Sequence, residues 1–135
     1  MKTNNVLIIE NCLLDAIMIK ESLQQDNQYC NIHLMEDGFE AVVHFENINL
    51  DTNQDIPDLI IANEELIVIN GVNILSKIKN LNNFFIPVII LSATGSNEQP
   101  HFHKDTCCFI HKPLEVREFL KIFQDIKHCW LNTMN

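Results

Sequence analysis

The sequence predicts an α/β fold in which a five-stranded parallel sheet carries helices on both faces. Three observations lead there. Five short apolar runs recur along the chain, at 6–9, 30–34, 58–62, 86–91 and 107–111. Segments of helical period lie between them, at about 13–25, 39–46, 72–81 and 115–127. The links are short, and alternating strands and helices with short links build right-handed crossovers on a parallel sheet.

Each element has its own signal. The runs V-L-I-I at 6–9, D-L-I-I-A at 58–62 and I-P-V-I-I-L at 86–91 are nearly continuous in Ile, Leu and Val. Strands covered on both faces read this way, because neither face can be polar. The runs C-N-I-H-L at 30–34 and C-C-F-I-H at 107–111 complete the set of five. In the last helix Val116, Phe119, Leu120, Phe123 and Ile126 recur at steps of three and four, which stacks them on one face. The polar stretch 47–55 reads as an exposed loop before the third strand. No linker, repeat or low-complexity segment interrupts the chain, so one domain over 1–135 is expected.

Size and charge exclude several classes. A chain of 135 residues suits one domain and buries about two-thirds of its surface, so it needs no disulfide or metal staple. Hydrophobic residues make up 47%, too many for a disordered acidic tail. Nine basic against 18 acidic side chains give a net charge of −9, which argues against nucleic acid, whose phosphates need clustered Lys and Arg. The cysteines, Cys12, Cys30, Cys107, Cys108 and Cys129, are odd in number and two are adjacent, unlike a secreted disulfide framework. The longest apolar run, 84–91, contains Pro87 and is far short of a membrane span, and Glu10 ends the apolar patch near the N-terminus. A cytoplasmic protein that does not enter the membrane is expected.

In parallel sheets, function gathers at the carboxyl ends of the strands. That selects Glu10 and Asn11 after strand one, Asn63 after strand three, Ser92 after strand four and Lys112 after strand five. The three glycines, Gly38, Gly71 and Gly95, form neither a G-x-G-x-x-G turn nor a phosphate-cradling loop, which argues against a nucleotide-binding enzyme. The histidines His33, His44, His111 and His128 are scattered and suggest no nucleophile–base arrangement. No enzyme activity is expected.

The motifs in this order resemble the receiver domain of two-component response regulators. The carrying segments are V-L-I-I-E-N at 6–11, E-D-G-F-E-A-V at 36–42, P-D-L-I-I-A-N at 57–63, N-G at 70–71, I-P-V-I-I-L-S-A at 86–93 and F-I-H-K-P-L at 109–114. The long loop before strand three and the W-L at 130–131 further resemble single-domain regulators that partner phytochrome-type sensor kinases. The resemblance implies a flavodoxin-like three-layer (βα)5 sandwich with strand order 2-1-3-4-5.

It also implies site roles. In the family an aspartate ending strand three accepts a phosphoryl group from a histidine kinase, and two acids after strand one join it in holding magnesium. A hydroxyl after strand four and a lysine before proline hold the phosphoryl oxygens, and an aromatic on strand five reports the state. Glu10 matches the first acid, Ser92 the hydroxyl, Lys112 the lysine and Phe109 the aromatic. Two positions depart: Asn11 stands in place of the second acid, and Asn63 in place of the phosphoacceptor.

An amide lone pair is delocalised, so Asn63 is no nucleophile toward phosphorus. Magnesium prefers carboxylates and water, and exchanging two carboxylates for amides leaves Glu10 to hold it weakly or not at all. The expectation is a pseudo-receiver that works by binding a histidine kinase, a phosphotransfer protein or another regulator without phosphorylation. The alternative is a phosphorylatable regulator in which Glu64 or Glu65 supplies the missing acid. Lys112 is expected to pair with Glu10 or to donate to Asn63.

Further features bear on surfaces. The loop E-E-L-I-V-I at 64–69 suits either an extension of the core or a docking patch. Pro100 falls in the middle of the fourth helix of the family, whose interior proline costs about 3 kcal/mol, so that helix is expected to be short, displaced or to start there. His101, His103, Cys107 and Cys108 form a donor-rich cluster whose spacing does not suit zinc. Trp130 and Leu131 extend the last helical stripe and suit a homodimer contact.

Overall fold

The computed structural model describes residues 4–24, 30–47, 56–69, 72–74, 76, 86–93 and 108–128. The main sheet is built from β1 (Asn4–Ile9), β2 (Cys30–Met35), β3 (Leu59–Asn63), β6 (Val88–Ser92) and β7 (Cys108–His111), in the order β2-β1-β3-β6-β7. All its pairings are parallel. Counted along this sheet alone, the order is 2-1-3-4-5, as the resemblance implied.

Every residue of β3 and β6 is buried, which is why these runs carry no polar alternation. One side of the sheet packs Leu7, Ile9, Ile60, Ala62 and Ile90 against Ala41 and Val42 of α2 (Gly38–Glu46). The other side packs Val6, Ile8, Ile61, Ile89 and Leu91 against Ile19 and Leu23 of α1 (Leu13–Leu23) and Phe119, Phe123 and Ile126 of α3 (Val116–Ile126). Successive strand residues alternate between the two layers, and each layer excludes water from one sheet face.

Local chemistry sets the helix starts. Asp37 accepts the Phe39 N–H on Oδ1 at 2.9 Å and the Glu40 N–H on its carbonyl at 3.1 Å, an N-cap for α2. Cys12 is the extended residue before α1, and its carbonyl accepts the Ala16 N–H at 3.0 Å.

The structure corrects two expectations and decides between the alternatives of a third. Val72 and Asn73 do not begin a helix. They form β5 (Val72–Asn73), antiparallel to β4 (Val68–Ile69), because the chain turns back after the third strand and pairs locally before helical backbone begins at Ile74. Val116 does not share the buried stripe of α3: it is the first residue of the helix and is exposed. In the loop after β3, Ile67 is fully buried and Leu66 packs partly against the same core, so this stretch extends the core there. The expectations for the fourth helix and Pro100, the His101/His103/Cys107 cluster, most of the 47–55 loop, and Trp130 and Leu131 lie outside the described residues.

Candidate functional site at the carboxyl edge of the sheet

Strand register brings the site together. Ile9 lies opposite Ala62, so Glu10, one residue on, arrives beside Asn63. Asn63 lies opposite Leu91, which places Ser92 at the next step. Ser92 lies opposite His111, and the following Lys112 donates its backbone N–H to the Ser92 carbonyl at 2.7 Å. Four residues far apart in sequence thus end on one edge. Asn63 and Ser92 are the last residues of their strands rather than the first residues beyond them.

Glu10 is the hub. Its side chain is buried, 1% exposed, and its backbone N–H donates to the Met35 carbonyl at 3.0 Å. Oε1 accepts two hydrogen bonds, from Asn63 Nδ2 at 2.8 Å and from the Cys12 N–H at 3.1 Å. Oε2 faces the Lys112 ammonium at 3.0 Å, a close ion pair approached outside hydrogen-bond alignment. Lys112 Nζ also donates to Asp15 Oδ2 at 2.7 Å. Burial works against the Lys112 ammonium, but its contacts with Asp15 and Glu10 outweigh that cost and hold its pKa above the ordinary 10.5.

Asn63 is 4% exposed and held at both ends of its amide. Nδ2 donates to Glu10, and Oδ1 accepts the Glu65 N–H at 2.9 Å. The second bond makes Asn63 the N-cap of a short 3-10 helix, η1 (Glu64–Leu66).

The sequence-selected residues separate into two groups. Glu10, Asn63 and Lys112 form one bonded network, and Ser92 is fully buried beside them at the end of β6. Asn11 is exposed, as is Glu65, while Glu64 is half-buried. Phe109 lies in β7 opposite Ile90, and its side chain is outside the description. Lys112 pairs with Glu10, one of its two expected partners.

Asp15 was missed by sequence reasoning. It lies in the first turn of α1, and its only signal was position: five residues after Glu10, on the helix that starts at this edge. Among the described residues no group of three or more His, Cys, Asp or Glu side chains comes together as a metal cage.

Comparison with known proteins agrees with this architecture. Residues 6–124 match the response regulator receiver domain family. Response regulator Rcp1 of Synechocystis sp. (strain ATCC 27184 / PCC 6803 / Kazusa) is 25% identical over 132 residues, covering 96% of this chain and 90% of that protein. The solved structure of the phosphorylated cyanobacterial phytochrome response regulator RcpA superposes with a TM-score of 0.80 at 24% identity, covering 99% of this chain and 98% of that one. The Mn(2+)-bound form of Rcp1 superposes with a TM-score of 0.78 at 20% identity, covering 98% and 97%.

Proposed function

The chain belongs to the response regulator receiver domain family, and from that membership we propose that it is a pseudo-receiver that signals by protein binding without phosphorylation. It is an atypical regulator of the phytochrome-associated kind, related to Rcp1 and RcpA, working in a phosphorelay in the cytoplasm. The observation that carries this reading is Asn63. The amide stands at the end of β3 where the family resemblance calls for the acceptor aspartate, and both ends of it are engaged. It offers no anionic oxygen to attack phosphorus.

Magnesium, which the family implies, does not suit these donors. Glu10 Oε1 already accepts two hydrogen bonds, and the Lys112 cation stands 3.0 Å from Oε2. Asn63 turns an N–H donor toward Glu10, where a magnesium ion needs oxygen ligands at about 2.1 Å in octahedral array. The ammonium of Lys112 supplies the positive charge that the buried Glu10 needs.

A binding role has a surface to use. Leu13, Leu14 and Ile17 of α1 are exposed, and Leu114 is fully exposed. The Lys112–Asp15 ion pair ties the segment carrying Leu114 to the turn of α1 carrying the leucines. An apolar patch beside the former reaction site suits a histidine kinase, a phosphotransfer protein or another regulator of the same pathway. A homodimer is a second protein contact of the same kind. With a net charge of −9, nucleic acid is not the expected partner.

The test is incubation with a small acyl phosphate donor and magnesium, followed by intact mass and peptide mapping. The expected result is no added phosphoryl group. Stoichiometric phosphorylation would overturn the reading and favour the alternative, in which Glu64 or Glu65 serves as the compensating acid.

A further inference from the structure

We propose that the outward face of α2 is a second docking surface, which takes a basic amphipathic helix of another protein through the apolar pair Phe39 and Val43 and an acidic rim. A surface helix ordinarily turns its polar side to water. α2 buries Ala41 and Val42 against the sheet, yet its other side carries Phe39 at 52% exposure and Val43 at 53%. The two are one helical turn apart, at i and i+4, so they adjoin on one stripe. Apolar residues exposed singly are ordinary, whereas an adjoining aromatic and aliphatic pair is the kind of anchor that interface cores use. A stripe along a helix axis suits packing by another helix, ridge against groove.

Charge says what covers this stripe. Residues 21–76 hold eleven of the 18 acidic side chains and none of the nine Lys and Arg. Around the apolar pair, Glu36, Asp37, Glu40 and Glu46 are all exposed. Asp37 is fixed beside Phe39, since its Oδ1 accepts the Phe39 N–H at 2.9 Å. Acids at the start of a helix favour its dipole, so Asp37 and Glu40 also serve the helix itself. Glu46 ends α2, where a negative charge opposes the dipole, and helix stability does not account for it. Two apolar anchors inside a rim of one sign complement a helix whose own apolar stripe is flanked by Lys and Arg. Arginine suits the site best, because a guanidinium stacks on the Phe39 ring while it pairs with a rim carboxylate. The same rim repels anionic lipid and nucleic acid, and a net charge of −9 opposes a second copy of this chain.

This face is separate from the apolar patch on α1. α2 packs with Leu7 and Ile9 on one side of the sheet, and Ile19 and Leu23 of α1 pack with Val6 and Ile8 on the other. One chain thus has room for one protein at α1 and another at α2, which makes it a bridge. The inference does not rest on the chemistry at Asn63, and its test uses neither magnesium nor a phosphodonor.

The experiment titrates the full chain, labelled for NMR, with a synthetic amphipathic helix carrying a Leu stripe flanked by Arg and Lys. A control peptide has Glu in place of every Arg and Lys. The expected result is one saturable equivalent of the basic peptide, amide shifts centred on α2, and affinity that falls as salt is raised. Phe39→Ser and the triple variant Glu36→Gln/Glu40→Gln/Glu46→Gln are each expected to weaken binding about tenfold. Thermal melts of the free variants establish that they fold, and Leu14→Glu on α1 leaves the equivalent in place. The proposal is overturned by the absence of saturable binding, by equal binding of the acidic peptide, or by binding that survives both α2 variants. Shifts centred on α1 overturn it as well. So does self-association of the chain that Phe39→Ser abolishes, since the occupant is then a second copy.

Discussion

Lys112 donates to Asp15 at 2.7 Å while standing 3.0 Å from Glu10, so one ammonium bridges two carboxylates from different elements. The pairing joins the end of β7 to the first turn of α1. It gives Lys112 a structural partner in a site whose expected acceptor carboxylate is absent, and it leaves the local charge at one net negative.

Removing the cation exposes the asymmetry of a buried pair. Lys112→Met leaves the Glu10 carboxylate buried with only hydrogen bonds to satisfy it, an expected loss of about 3 kcal/mol. Chemical denaturation measures it. The double variant Lys112→Met/Glu10→Gln is expected to recover much of that loss, because no buried charge is then uncompensated. A double variant no better than the single one would sink this account.

The pH dependence of the same pair has a definite sign. The folded-state pKa of Lys112 lies above 10.5, so its stabilising contribution is fully present below that value. It is lost as pH rises through the folded value. Unfolding free energy measured from pH 9 to above 11 should fall more steeply for the natural chain than for Lys112→Met. Parallel slopes would contradict the raised value.

Restoring the acid at Asn63 tests the reading of the site. Asn63→Asp exchanges a donor 2.8 Å from Glu10 for a second anion, losing a charge-assisted hydrogen bond, about 2 kcal/mol without metal. Magnesium is expected to return part of that stability by placing a cation between the two carboxylates. The natural chain should show no such magnesium-dependent gain in thermal stability.

Docking on the exposed apolar patch separates binding from folding. Leu14→Glu sits on the solvent face of α1, so its stability cost is expected to stay within about 0.5 kcal/mol. Capture of a cognate histidine kinase or phosphotransfer protein is expected to be lost. By contrast Phe123→Ala, in the packed layer between α3 and the sheet, is expected to cost about 3–5 kcal/mol. Retained capture by Leu14→Glu would move the docking surface elsewhere.

Two thiols are expected to differ in reactivity. Burial pushes the Cys30 thiol up to about 11, the charge of Asp58 adding to the rise and that of Lys127 opposing it. Cys30 is therefore protonated at pH 8, and only the thiolate reacts. Cys12 is exposed at the start of α1. Peptide mapping after brief alkylation should find Cys12 modified before Cys30.

The sequence by itself determined the layers, the edge at which the site residues gather and the amide at position 63. Continuous Ile, Leu and Val in three runs can only be satisfied by strands covered on both faces, and β1, β3 and β6 are such strands. That alternation placed Glu10, Asn63, Ser92 and Lys112 at one edge, and the amide at Asn63 was legible from the residue type alone. What local pattern could not supply depended on distance across the fold. The β4–β5 pair arises from two short segments meeting, not from their propensities. Val116 has the spacing of a buried position, yet it opens α3 and is exposed.

Asp15 reaches Lys112 across 97 positions of sequence, and His33 meets His44 between a strand and a helix. Only the tertiary structure decided these pairings, because charge and ring contacts follow from where elements pack. Residue type says what a side chain can bond, and packing chooses which partner arrives within reach.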